Sequence, residues 1–257
     1  MEGWHGWDDY APFYDWENAR TVGRRDVAFW RRLAEERGAP VLELGCGTGR
    51  VTLPVGRAVD GVVGIDRSGP MLGRARRRLR RAGLARRVCL IRGDIRSLPF
   101  RRQGPFRLVM APYGVLQSLL RDRDLRETLD AVRSALRPGG TVAIDLVPEL
   151  PRWGEYNRRV SLRGRRRGGA ASIILIESVR QDQARRLTIF DQEFTERRGQ
   201  ESIVRRFELA FRTLSVRQMS ARLRKAGFTI ESVSGDYTGG AWHPEADTGL
   251  VVARRSG

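Results

Sequence analysis

The sequence predicts an α/β fold: a mostly parallel sheet with helices on both faces, and an antiparallel β insertion after the fifth strand. Three observations carry this. Short apolar runs alternate with amphipathic helical stretches from residue 39 to 146. From residue 147 to 213 the rhythm breaks into longer strand-like segments separated by turn residues. From residue 214 to 257 helical spacing returns, followed by two closing strands. Strands that alternate with helices pair in parallel, because each crossover carries the chain back over the sheet, whereas strands joined by tight turns pair antiparallel.

Residues 8–20 form an aromatic, acidic lead-in containing Tyr10, Phe13, Tyr14, Asp15, Trp16 and Glu17. From Thr21 to Arg37 the spacing of Val27, Phe29, Trp30 and Leu33 predicts a helix, ended by Gly38. Residues 1–37 thus read as a lead-in and a helix. Residues 40–44 make a first buried strand, 50–58 a helix and 61–65 a second strand. Ser68 is a good N-cap for the next helix, with Pro70 in its first turn. Leu72, Ala75, Leu79 and Ala82 keep helical spacing there, and arginines cover the other faces. Residues 88–91 and 106–110 are the third and fourth strands, 122–136 is a helix closed by Arg137-Pro138-Gly139-Gly140, and 141–146 is the fifth strand. In the insertion, 172–180, 186–197 and 202–212 are the clearest strands. A helix from Ser215 to Ala226 stops at Gly227, and 229–233 and 249–253 close the fold. No internal repeat or interdomain linker is visible, so residues 1–257 read as one domain.

The chain is 40% hydrophobic, enough to bury a sizeable core, and no run approaches a membrane span. Its first residues have neither the basic start nor the apolar stretch of a secretory signal, so a cytoplasmic protein is expected. If the first three strands are ordered 3-2-1, Cys46 and Cys89 fall two strand spacings apart, roughly 9–10 Å, and no disulfide is expected. The net charge is +18, but Lys225 is the single lysine and arginine is spread along the whole chain. A nucleic-acid surface usually mixes the two, so a solvated surface is preferred to an RNA-binding one. Clustering of arginines 163, 165, 166 and 167 with those of residues 74–81 around the pocket mouth is the pattern expected of an RNA enzyme.

Gly45, Gly47 and Gly49 follow the first strand and open a helix. Glycines there permit a tight turn and let backbone approach a ligand without a Cβ in the way. The dinucleotide fingerprint G-x-G-x-x-G does not fit: the third glycine comes one residue early, and Arg50 stands where it should be. Glu43 precedes the first glycine by two positions, suited to reach a cationic group. Asp66 ends the second strand and Asp94 follows the third. Taken singly, each also reads as a helix cap or a turn former.

The segment Glu43-Leu44-Gly45-Cys46-Gly47-Thr48-Gly49 resembles the first motif of class I methyltransferases that use S-adenosylmethionine (SAM). The resemblance implies a Rossmann-like seven-stranded sheet in the order 3-2-1-4-5-7-6, its seventh strand antiparallel, and residues 39–146 as the SAM-binding core. It implies that Asp66 accepts from the ribose hydroxyls, with Arg67 and Met71 beside it. Asp94 would accept from the adenine amino group, and Ile95 would offer its N–H and an apolar wall. Gly45, Cys46 and Gly47 would line the cofactor, with Ala111 at the end of the fourth strand. The segment Ala111-Pro112-Tyr113-Gly114-Val115-Leu116-Gln117 is similar to one in small-molecule N-methyltransferases. That subset has a tyrosine-rich N-terminal lid, like Tyr10 and Tyr14 here, and an antiparallel insertion after the fifth strand. Relatives often carry a polar residue where this chain has Gly114.

The expected cofactor is therefore SAM and the expected acceptor a small molecule, methylated at nitrogen. Tyr14, Tyr113, Gln117 and Tyr237 are candidate pocket residues, with no catalytic base assigned. His5 and His243 are the sole histidines; His243 reads as a solvated loop residue, and no cluster has metal-ligand spacing. An RNA or protein methyltransferase and a non-catalytic SAM-binding module are the alternatives. The insertion is a candidate surface for a homodimer.

Overall fold

The computed structural model describes residues 6–20, 26–100, 104–147, 155–165, 171–246 and 248–257. Two helices come first, α1 (Trp7–Asn18) and α2 (Val27–Arg37). The alternating core follows as β1 (Val41–Leu44), α3 (Thr52–Ala58), β2 (Val62–Asp66), α4 (Gly69–Arg81), β3 (Val88–Arg92), β4 (Phe106–Ala111), α5 (Asp122–Ala135) and β5 (Leu136–Leu146). Four long strands make the insertion: β6 (Tyr156–Arg165), β7 (Ser172–Asp182), β8 (Leu187–Arg198) and β9 (Glu201–Arg212). The chain closes with α6 (Val216–Lys225), β10 (Phe228–Ser234) and β11 (Gly249–Arg255).

Seven strands form one sheet in the order β3-β2-β1-β4-β5-β11-β10. Counting core strands alone, this is the expected 3-2-1-4-5-7-6. Strands β1 to β5 run parallel, and β11 lies antiparallel between β5 and β10. Alternate residues of each central strand point to opposite faces, as the pleat requires. Leu42, Leu44, Ile65 and Val109 meet Leu125, Leu129, Met219 and Leu223 of α5 and α6 on one face. Val41, Val62, Leu108 and Met110 meet Trp30, Leu33, Val55 and Leu79 on the other. Both faces are covered, which is why β1 reads as a continuous apolar run broken by Glu43 alone. Ser68 caps α4 by accepting from the Met71 amide at 3.2 Å, and Ser215 and Gln218 form a capping box on α6.

The insertion is a separate antiparallel sheet, β6-β7-β8-β9 in sequence order. Its inner face, carrying Ile173, Leu175, Phe194, Phe207 and Leu209, packs on Tyr10, Phe13, Tyr14 and Trp16 of α1. Helix α1 therefore lies between the insertion and the core.

Three differences from the sequence reading have physical causes. The acidic, aromatic lead-in is a helix; its aromatic residues are buried on more than one side, so no single apolar stripe announces it. β6 is a fourth insertion strand, with mostly exposed residues and weak alternation. β5 starts earlier than expected, because Leu136 pairs with Phe106 before a register break carries the chain through Pro138-Gly139-Gly140 to Thr141. Thr21 to Arg25 of the expected helix, His5, Arg166 and Arg167 lie outside the described residues. Cys46 is buried, Cys89 exposed, and both are free. No helix among the described residues is long and apolar enough to cross a membrane.

Candidate active site

The ends of three adjacent parallel strands, β1, β2 and β3, build one wall. After β1 the chain turns through Gly45 with φ of 61°. A Cβ at Gly45 would stand 2.4 Å from Val115 Cγ2, so the loop packs flush against the segment after β4. Asp66, at the end of β2, braces this loop: its Oδ2 accepts from the Gly47 amide and its Oδ1 from the Ser68 amide, each at 2.8 Å. Burial raises the Asp66 carboxyl above its ordinary range, while the two amides oppose that rise. Asp94, after β3, accepts from Arg96 Nη2 at 2.7 Å and Arg67 Nη1 at 3.2 Å. Partial burial pushes Asp94 up, but the donors on Arg96 and the charge of Arg67 outweigh it and hold Asp94 low. Arg96 also reaches Asp124 of α5 at 3.2 Å.

A cavity of about 400 Å³ opens beside these strand ends. That is within the size range of small-molecule sites. Of the residues singled out from sequence, Tyr14, Gly45, Gly47, Asp66, Arg67, Met71, Asp94, Ile95 and Tyr113 line it. Trp7, Asp8 and Asp9 of α1 join them, as do Arg92 and Phe211. The acidic, aromatic character of 7–9 is visible in sequence, though its direction is not. Phe211 comes from β9, and only the tertiary fold brings it here.

The remaining candidates are not among the lining residues. Tyr10 packs between Phe194 and Phe207 and donates its hydroxyl to Glu17. Glu43 lies beneath the glycine loop, accepting from Thr52 Oγ1 at 2.7 Å, and burial raises its carboxyl to about 8. Cys46 fills the space over Gly64, where a Cβ would meet its Sγ at 2.8 Å. Ala111 is buried in the core. Gln117 is a staple: its Oε1 accepts from the Val147 amide at 2.7 Å, and its Nε2 donates to the Arg212 carbonyl at 3.1 Å. Tyr237 packs on Phe29 and donates its hydroxyl to Asp145 at 2.9 Å.

The segment after β4 is held in an unusual shape. Tyr113 and Gly114 have φ of 62° and 61°. A left-handed tyrosine costs about 1–2 kcal/mol. At Gly114 a Cβ would come within 2.9 Å of Gln117 Oε1 and Val147 Cγ2, which explains a glycine here. The Tyr113 ring stands edge-on to Tyr14, with centroids 6.4 Å apart, and the Arg50 guanidinium sits 5.4 Å from its centroid. Arg50 is itself fixed by two 2.6 Å bonds to buried Asp26.

Residues 41–140 match the family described as a methyltransferase domain. The chain carries this match from β1 into β5, over the glycine loop, Asp66 and Asp94. It is similar to the demethylmenaquinone methyltransferase of Lactiplantibacillus plantarum, at 32% identity over 140 residues, covering 51% of this chain and 56% of that one. The chain thus spans about half the length of the curated relatives it matches. It superimposes on a SAM-dependent methyltransferase from Clostridium acetobutylicum with a TM-score of 0.80 and 18% identity, covering 97% of this chain and all of the other. It also superimposes on the sugar N-methyltransferase KedS8 from Streptoalloteichus, with a TM-score of 0.77 and 17% identity over 95% of this chain and 93% of that one. At these identities the likeness shows a shared fold, insertion included.

α1 is tied down over the glycine loop. Thr48 Oγ1 donates to Asp15 at 2.6 Å, and Arg78 bonds both Asp15 and the Thr48 carbonyl. Arg74 donates to the carbonyls of Ala11 and Pro12. The cavity's charges suit a cation: four carboxylates, Asp8, Asp9, Asp66 and Asp94, against the two guanidiniums of Arg67 and Arg92. The chain as a whole carries +18, so the sign of this cavity opposes that of the chain's net charge. SAM carries a sulfonium, and the lining fits it. Arg74, Arg78 and Arg165 do share a groove, with Arg20, Arg31 and Arg57, but it lies across α1 and shares no lining residue with the cavity.

Proposed function

We propose that this protein transfers a methyl group from SAM to a small-molecule acceptor, at nitrogen. The observation that carries the reading is the acidic, aromatic-walled cavity at the ends of β1, β2 and β3, set in a strongly basic chain. Asp66, Gly45, Gly47 and Met71 would hold the ribose and methionine parts of SAM, and Asp94 and Ile95 the adenine. When bound, SAM supplies an electrophilic methyl group on sulfur. The rest is positioning, which contributes up to roughly 7–11 kcal/mol in favourable cases. Trp7, Tyr14, Tyr113 and Phe211 would form the acceptor wall and keep water out, with α1 as a lid.

Neither phenol of the cavity wall, nor His243, supplies a base. Burial raises the Tyr14 phenol to about 12, with the Arg50 charge opposing, and burial also raises Tyr113. Both phenols stay protonated at neutral pH and serve as hydrogen-bond donors or acceptors; neither is poised as a base. His243 is exposed in the loop before β11 and lines no part of the cavity. A neutral amine needs no base to act as a nucleophile, whereas an oxygen or carbon acceptor does.

The test is incubation with methyl-labelled SAM and fractionated small-molecule and RNA extracts. Label in an amine-containing small-molecule fraction is the expected result. Label confined to RNA would overturn the acceptor class, and SAM binding without any labelled product would make the protein a binding module.

A further inference from the structure

β5 delivers a single carboxylate into the interior. Asp145 is 2% exposed, between the buried residues Ile144 and Leu146. Its oxygens serve two separate segments. Oδ1 accepts from the Gly114 amide at 2.8 Å. Oδ2 accepts from the Tyr237 hydroxyl at 2.9 Å, in the connection between β10 and β11.

A buried carboxylate that accepts from a backbone amide pins the turn that carries the amide, because releasing it would leave the donor unpaired. The turn it pins holds Tyr113 and Gly114 in the left-handed conformation, which a tyrosine does not hold unaided. Asp145 lines no part of the cavity, and neither does Tyr237. Tyr113 does line it, between Tyr14 and the segment that packs on Gly45.

We propose that Asp145 is a positioning residue: by clamping the Tyr113–Gly114 turn it sets the Tyr113 ring in the cavity wall, with Tyr237 as its second anchor. Sequence reading placed Tyr237 in the pocket; on this account it acts from outside, through Asp145. The proposal rests on the reading of the cavity as the SAM and acceptor site, because that is where Tyr113 does its work.

The test uses the full chain labelled with fluorotyrosine. The sequence has five tyrosines, and the Tyr113 fluorine signal is identified by its loss in Tyr113→Phe. In Asp145→Ala the Tyr113 signal is expected to shift or broaden, and affinity for S-adenosylhomocysteine to fall by about fivefold or more. Asp145→Asn keeps the acceptor for Gly114 and is expected to restore both readouts to within about twofold of wild type. Tyr237→Phe, which keeps the Gly114 bond but removes the second anchor, is expected to move the Tyr113 signal in the same direction as Asp145→Ala and by less; a Tyr113 signal unmoved in this variant removes Tyr237 from the proposal. Asp145→Ser, too short to span to Gly114, replaces the alanine variant if that protein does not fold. A Tyr113 signal unmoved by loss of the Asp145 carboxylate overturns the proposal. So does an alanine variant that binds the ligand as wild type does. A wild-type protein that fails to bind S-adenosylhomocysteine overturns the SAM reading instead, and the fluorine signal then decides Asp145 independently.

Discussion

Asp66 and Asp94 occupy equivalent places, at the ends of neighbouring parallel strands, yet meet opposite surroundings. Asp66 is held by backbone amides and Asp94 by guanidiniums. Removing either carboxylate leaves donors on the protein without partners and, on the proposed reading, donors on the cofactor as well, at a cost of about 1–3 kcal/mol each. Asp66→Ala is therefore expected to weaken SAM binding by roughly tenfold or more, measured by calorimetric titration. Asp94→Ala is expected to act the same way with less effect on the glycine loop, since its donors come from Arg96 and Arg67. Unchanged affinity in both variants would remove the cofactor assignment. Gly45→Ala meets two obstacles, the positive φ and the 2.4 Å approach to Val115. Overpacking and backbone strain together should cost about 1–3 kcal/mol, read as a lower melting temperature, with SAM affinity falling as the loop shifts.

At the level of elements, α1 joins the insertion to the core, and a buried carboxyl at that junction gives a prediction about pH. Glu17 is nearly buried against β8, accepting from Tyr10 and from Gln192 Nε2 at 2.9 Å, and burial raises it to about 7. In the unfolded chain it titrates near 4.5. Between those values the folded protein keeps a proton that the unfolded chain has lost, so stability falls as pH rises through this window. Denaturant melts from pH 4 to 8 should show the stability difference between wild type and Glu17→Gln change by ~2–3 kcal/mol in the variant's favour as pH rises. A parallel pH dependence in both proteins would discard this. Gln117 joins the turn after β4 to the end of β5 and to β9. Gln117→Ala should cost about 1–3 kcal/mol of stability, because it orphans the Val147 amide, and leave SAM affinity nearly unchanged.

These two elements also mark what the sequence could and could not reveal. The core was legible because strand and helix periods are local, and Ser68 and Gly227 punctuate them. The turn at Gly45 and the carboxylates at strand ends were legible for the same reason. α1 was not, since its burial is divided between two partners that lie far apart in the chain. Gln117 and Tyr237 were read as pocket residues from their neighbourhood in sequence, while their hydrogen bonds run to residues 30 to 95 positions away. Asp145 drew no notice, because a single acid ending an apolar strand carries no local sign of what it holds.

At the level of the whole molecule, the +18 charge is dispersed over helices such as α4, where Met71, Leu72, Ala75 and Leu79 face inward and arginines cover the outside. Other arginines are engaged in pairs, among them Arg180 with Asp191 and Glu208, and Arg206 with Glu193. Binding to generic RNA at physiological salt is expected to be weak; tight binding with a steep dependence on salt, seen by filter retention, would count against this. A different consequence follows from the place of β11. It is the last of the described strands, yet it sits inside the sheet, with Gly249 opposite Leu146 and Val252 opposite Ala143, and among the described strands it is the one that pairs with β10. During synthesis the insertion can complete its hairpins at once, each strand finding its neighbour as it emerges. β5 must wait for a partner made about a hundred residues later, its backbone donors and acceptors open along one side. The nascent protein therefore carries a finished small sheet beside an unfinished large one, and its exposure to misassembly ends only when β11 slides into the gap.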